Sequence, residues 1–116
     1  MLLLMRVKIA QIGTYVKGII VTSRTLRELY ARVGNLMEER VADQTDEAAE
    51  QLAFYFYRSD LQAKALSYLE RAAKRAPEPA HALELLRRAE KVAMRIEDAS
   101  AASKIRARIR ELSRSA

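Results

Sequence analysis

The side chains of this chain with chemical potential are one histidine, a few adjacent carboxylates, one aromatic run and one arginine-rich stretch. His81 is the only histidine and cysteine is absent. These residues can build neither a histidine-pair nor a thiolate metal site. Glu38-Glu39, Asp46-Glu47 and Glu97-Asp98 are the adjacent acidic pairs. Neighbouring residues on a helix do not face one another, so these pairs do not make the convergent acid and base that proton-transfer catalysis needs. Gly13, Gly18 and Gly34 are scattered and cannot form a phosphate-cradling loop. The inventory therefore reads as a non-enzyme, with no metal and no cofactor.

The basic residues offer a different chemistry. Lys104, Arg106, Arg108, Arg110 and Arg114 crowd the C-terminal stretch. Such a set can contact phosphates and give a salt-dependent affinity for nucleic acid. No aromatic residue is interleaved with them, and no helix-turn-helix spacing accompanies them. A solvated outer face of a helix is the competing reading. The net charge of +6 permits an acidic partner or nucleic acid without selecting either.

These residues have to be positioned by helices. Half of the 116 residues are hydrophobic, and there are only three glycines and two prolines. That composition favours one domain of long helices with short connections. Five Tyr and two Phe leave most of the packing to alanine and leucine. Helices are expected over about 24–41, 46–58, 61–76, 79–98 and 99–114. Residues 3–21 read as a further helix, or as a strand over 3–9 given their β-branched content. In the helical reading Gly13 and Gly18 weaken it by about 1 kcal/mol each relative to alanine. The apolar run Met1–Met5 lacks preceding basic residues, and Arg6 and Lys8 break it far below membrane-spanning length. The expectation is a cytoplasmic protein with no membrane association.

Caps and faces follow from the same pattern. Thr25 and Glu28 fit a capping box, Thr45 or Asp43 can cap the next helix, and Asp60 the one after it. Pro77 ends a helix and Pro79 suits a first turn. Leu26, Leu29, Tyr30, Val33, Leu36, Met37 and Val41 make one apolar face, with Gly34 permitting a close crossing. Leu83, Leu86, Ala89, Ala93 and Ile96 make another, widened by Leu85, Val92 and Met94. Ile105, Ile109 and Leu112 make a third.

Between positions 52 and 77 the spacing becomes specific. Leu52, Ala53, Phe56, Ala65, Leu69, Ala72 and Pro77 stand at the intervals of a tetratricopeptide repeat, with Ala49 where that family usually has Trp. The stretch Leu52–Asp60, followed by Lys64–Ala73, resembles the repeat region of bacterial signal-transducing ATPases and adenylate-cyclase-like regulators. Ala10-Gln11-Ile12, Ile19-Ile20 and Ser23–Val33 resemble the link that precedes those repeats, so the likeness runs from about Val7 to Ala76. The ATP-binding residues of those proteins belong to a domain with no counterpart in these residues. An echo, Ala82-x3-Leu86-x2-Ala89, repeats Ala65-x3-Leu69-x2-Ala72 after half a repeat period, and Pro77-Glu78-Pro79 leaves no room for a helix between them.

The resemblance implies an all-α fold: antiparallel helical hairpins in a right-handed, tetratricopeptide-like array of about six helices. It implies a scaffold or interaction module for a protein or peptide partner, or for a homo-oligomer. Four consecutive aromatics on a helix point four ways, and the repeat pattern puts Phe56 in the core. Glu47, Glu50, Phe54 and Tyr57 then fall on the concave face where such repeats bind partners. The alternative remains a nucleic-acid-associated regulator acting through the 99–114 helix.

Overall fold

The computed structural model describes residues 22–115. Five helices account for most of them, with no strand among the described residues: α1 Ser23–Val41, α2 Ala49–Tyr57, α3 Gln62–Arg75, α4 Pro79–Arg95 and α5 Ala99–Ser115. The expected helix or strand within 3–21, the sixth element, lies outside the described residues. Each helix packs chiefly on its neighbours in the chain, as short connections dictate.

The core belongs to α2–α5. Leu52, Phe56, Leu69, Leu85 and Val92 are its largest fully buried side chains, and Ala49, Ala53, Ala65, Ala72, Ala89, Ala93 and Ala102 fill the space between them. Alanine at the crossings lets a large residue on one helix seat against a small one on the next. Phe56 also stacks on Tyr68, with ring centroids 5.8 Å apart.

Two connections differ chemically from the expected caps. Between α2 and α3, Ser59 is the only polar residue that is buried among the described ones. Its hydroxyl donates to the Phe56 carbonyl at 2.8 Å and accepts from the Leu61 N–H at 2.9 Å. The Gln62 amide donates to the Ser59 carbonyl at 2.6 Å and to that of Tyr57 at 3.2 Å. Asp60, expected as the cap, turns outward to Arg27 at 2.8 Å. Between α4 and α5 the helix stops at Arg95 rather than running to 98. Glu97 takes a left-handed φ of 57°, the Asp98 N–H returns to the Ala93 carbonyl at 2.8 Å, and the Asp98 carboxylate accepts from the Ala101 N–H at 3.0 Å. Ile96, placed beyond the last turn, is consequently exposed.

Two other starts move as well. Thr22, not Thr25, caps α1, accepting from the Thr25 N–H at 3.1 Å, and Glu28 turns to Arg24 at 3.5 Å instead of back to the helix start. Helix α2 begins at Ala49 rather than Asp46, behind turns at 45–48, and neither Asp43 nor Thr45 caps it. Pro77 and Pro79 do as expected: α3 ends before the first and α4 begins on the second.

Helix α1 is the exception to the burial pattern. Its one buried residue is Gly34. The backbone there lies so close to α2 that a Cβ would stand 2.7 Å from Phe56 Cε1. Met37 and Val41 pack partly against the core. Of the rest of the expected apolar face, Leu26, Leu29, Val33 and Leu36 are exposed, and Tyr30 is half-buried, with its ring centroid 6.4 Å from that of Tyr55. Polar contacts hold α1 in place: Glu38 accepts from Lys64 Nζ at 2.7 Å and from the Tyr68 hydroxyl, and Asn35 accepts from Lys64 at 3.0 Å.

Candidate functional site

The hairpin α2–α3 and the following α4 build a shallow hollow of about 60 Å³. Ala53, Leu69 and Leu85 form its floor, and Glu50, Phe54, Tyr57, Arg58 and Arg88 its rim. Proximity on α2 follows from helical spacing, since residues 50, 54, 57 and 58 lie at steps of three and four. Only the packing of α4 on α3 adds Leu85 and Arg88.

Three of the four residues expected on one face therefore meet at the hollow: Glu50, Phe54 and Tyr57. Glu47 stands just outside it, on the open surface that it shares with Glu50, Gln51 and Phe54. Phe54 is 47% exposed and Tyr57 is half-buried. Arg58, which donates to the Phe54 carbonyl at 2.9 Å, lays its guanidinium 3.7 Å from the Phe54 ring centroid. Phe54 also meets Tyr55 edge-on at 5.4 Å. Arg95 lies 5.2 Å from the Tyr57 ring and bonds Gln62 at 3.1 Å. The two ring faces are thus flanked by cations, each attracted to the electron-rich π surface.

One titratable pair crosses from α2 to α4. His81 Nε2 is 3.0 Å from Glu50 Oε1, and its Nδ1 is 3.7 Å from Glu84 Oε1. The hydrogen bond to Glu50 and the charges of Glu50 and Glu84 outweigh desolvation and raise the imidazole above its ordinary value. A second, more enclosed set ties α1 to α3. Burial pushes the Glu38 carboxyl up, but hydrogen bonds from Lys64 and Tyr68, with the charges of Lys64 and Arg71, bring it below the usual carboxylate range. Burial and the Glu38 carboxylate push the Tyr68 hydroxyl up to about 12.

The five cations of α5 do not gather into one patch. Lys104 and Arg108 flank a separate hollow between α3 and α5, together with Lys74 and Glu70, over Leu86, Ile105 and Leu112. Arg106 follows Glu90 at 2.6 Å. Arg108 follows Glu111 at 3.0 Å. Arg110 and Arg114 continue the line of Arg106, one turn apart, on another side of the helix. Among the described residues no group of three His, Cys, Asp or Glu side chains is disposed to hold a metal ion. No described helix is long and apolar enough to cross a membrane.

Arg58 and Arg88 were not singled out from the sequence. The four-residue step from Phe54 to Arg58 was a usable signal, whereas nothing local ties Arg88 to the α2 face. Compared with protein-family models, curated proteins and solved structures, the chain matched none.

Proposed function

We propose that the chain is a single tetratricopeptide-like domain, a right-handed array of antiparallel helical hairpins, that acts as a non-catalytic interaction module similar to the repeat segment of bacterial signalling ATPases. The partner is a protein or peptide held on the α2–α4 face by Glu47, Glu50, Phe54 and Tyr57. The observation that carries this reading is Phe54: a large aromatic ring, about half exposed, standing beside Tyr57 on the rim of an apolar hollow. Aromatic and arginine side chains around a pocket are the residues that dominate binding energy at interfaces. The charged rim of Glu50, Arg58 and Arg88 supplies orientation.

Selection of a displayed peptide library against the full chain tests the proposal. Phe54→Ala should weaken selected peptides by about tenfold or more, with an unchanged melting temperature. Peptides that bind the variant as tightly as the parent chain would remove the face from consideration. The ion pairs of Arg106 and Arg108 weigh against the nucleic-acid reading. Fluorescence anisotropy with generic DNA and RNA at low salt should show no binding. A steeply salt-dependent signal would replace the peptide reading with that one.

A further inference from the structure

The hollow between α3 and α5 shares no residue with the one beside Phe54. Helices α3 and α5 each pack on α4 and leave a gap between them. The gap holds a cavity of about 200 Å³. Its wall is apolar: Ala73 of α3, Leu86 of α4 and Ile105 of α5 are buried, and Leu112 is half-buried. Its rim is mostly positive, with Lys74, Lys104 and Arg108 against one carboxylate, Glu70.

These charges do not cancel. Arg108 is 3.0 Å from Glu111. Lys74 and Lys104 belong to no ion pair among the described residues. Both are exposed, and their flexible stems let each ammonium swing over the mouth. Glu70 is half-buried, and desolvation raises its carboxyl above the ordinary value despite Lys74 and Lys104. Two lysines and one carboxylate leave a single positive charge over, at the mouth of a cavity dry enough to disfavour the Glu70 anion.

We propose that this cavity binds a medium-chain aliphatic monocarboxylate, with its tail over Leu86, Ile105 and Leu112 and its head on the Lys74 and Lys104 side of the rim. A monoanionic head balances the surplus charge, and charge-assisted hydrogen bonds from the ammonium groups hold it. The apolar wall takes the tail out of water. Size sets the tail length. At about 30 Å³ per heavy atom, the share of liquid volume that a water molecule takes, the cavity holds about seven carbons. That corresponds to an eight-carbon acid with its carboxylate outside. Sites for drug-sized ligands are larger, at about 300–1,000 Å³. The α2–α4 face stays open, so this site does not depend on the peptide reading.

Sodium octanoate titrated into the isotopically labelled full chain, well below micelle formation, tests the proposal by NMR. Saturable shifts are expected for the amides of residues 70–74 and 104–112, with those around Phe54 unmoved. Affinity should rise by as much as about fourfold per methylene from butanoate to octanoate and level off in longer acids. Octylammonium should bind at least about tenfold more weakly than octanoate. The double variant Lys74→Gln with Lys104→Gln should lower octanoate affinity by about tenfold at an unchanged melting temperature. If it does not fold, Lys104→Gln alone is read in its place, against an expected loss of about threefold. The absence of a saturable shift below about 10 mM octanoate, shifts spread over the whole surface, or equal affinity for octylammonium would each overturn the proposal. So would an affinity that keeps climbing in longer acids, or one that the lysine substitutions leave unchanged.

Discussion

Helices α2–α5 and helix α1 are all amphipathic and use their apolar faces in opposite ways. In α2–α5 the apolar residues of successive helices interlock, and the polar contacts lie outside. In α1 most of the apolar residues face outward, and a glycine contact plus a polar network attach the helix to the rest. Amphipathic periodicity therefore specifies a helix and a face. It leaves open which neighbour takes that face.

The sharpest way to break this comparison is a charge in the interlocked part. Leu69 is 2% exposed, and Leu69→Asp should unfold the domain, since an unpaired buried carboxylate costs more than about 4 kcal/mol. Loss of the helical signal at 25 °C in circular dichroism is the expected outcome; an unmoved melting temperature would mean that Leu69 is not core.

Next in size is the one tight contact of α1. Gly34→Ala puts a methyl against the Phe56 ring, which is itself fully buried and stacked on Tyr68. Overpacking of this kind costs about 1–3 kcal/mol. Chemical denaturation should show the loss, whereas a neutral result would show that α1 shifts outward freely.

The polar attachment of α1 should contribute less, and should depend on pH. Glu38 is held below the usual carboxylate range. Its stabilisation is therefore complete above the unfolded carboxylate pKa and is lost as pH falls through the folded value. Tyr68 is raised to about 12, so its share is complete below the unfolded value near 10 and is lost as pH rises through 12. Glu38→Gln should cost about 1 kcal/mol near neutrality, after discounting for the exposure of Lys64 and Glu38. The variant should also flatten the acid limb of the stability profile measured by denaturation between pH 3 and 7; an unchanged limb would rule out Glu38 as its source.

The smallest effect is expected at His81. Its value is raised by Glu50, so any stabilisation is present below the unfolded value near 6.5 and fades as pH rises through the folded one. NMR titration should place the His81 midpoint above 6.5 and move it down in Glu50→Gln. An identical midpoint in the two proteins would mean that the α2–α4 pair is not formed.

The helical class, the hairpin at 52–77 and its core members Leu52, Phe56 and Leu69 were legible from spacing alone. The common face of Glu50, Phe54 and Tyr57 was expected from the resemblance to the repeat family, and one helix carries all three. The caps were less legible. Thr22 and Asp98 cap α1 and α5, where Thr25 and no residue in particular were expected, and α3 starts without a side-chain cap while Asp60 turns to Arg27, since several polar side chains near each helix end are chemically able to cap it. The limits of the α4 face were misjudged for a related reason. Periodicity continues through Ile96, but Glu97 adopts a left-handed turn that ends the helix earlier.

By itself the sequence determined what one helix can encode: periodicity, which side chains share a face, where proline stops a helix, and the absence of cysteine chemistry. Those properties depend on covalent geometry and on contacts within a few residues. The tertiary structure alone decided that Arg88 and Leu85 join Phe54 and Tyr57, that Arg106 and Arg108 are drawn to different carboxylates, and that α1 turns Gly34 inward and its leucines outward. Each of those outcomes is a competition between faces on different helices, and its result depends on shapes that meet only after the chain has folded.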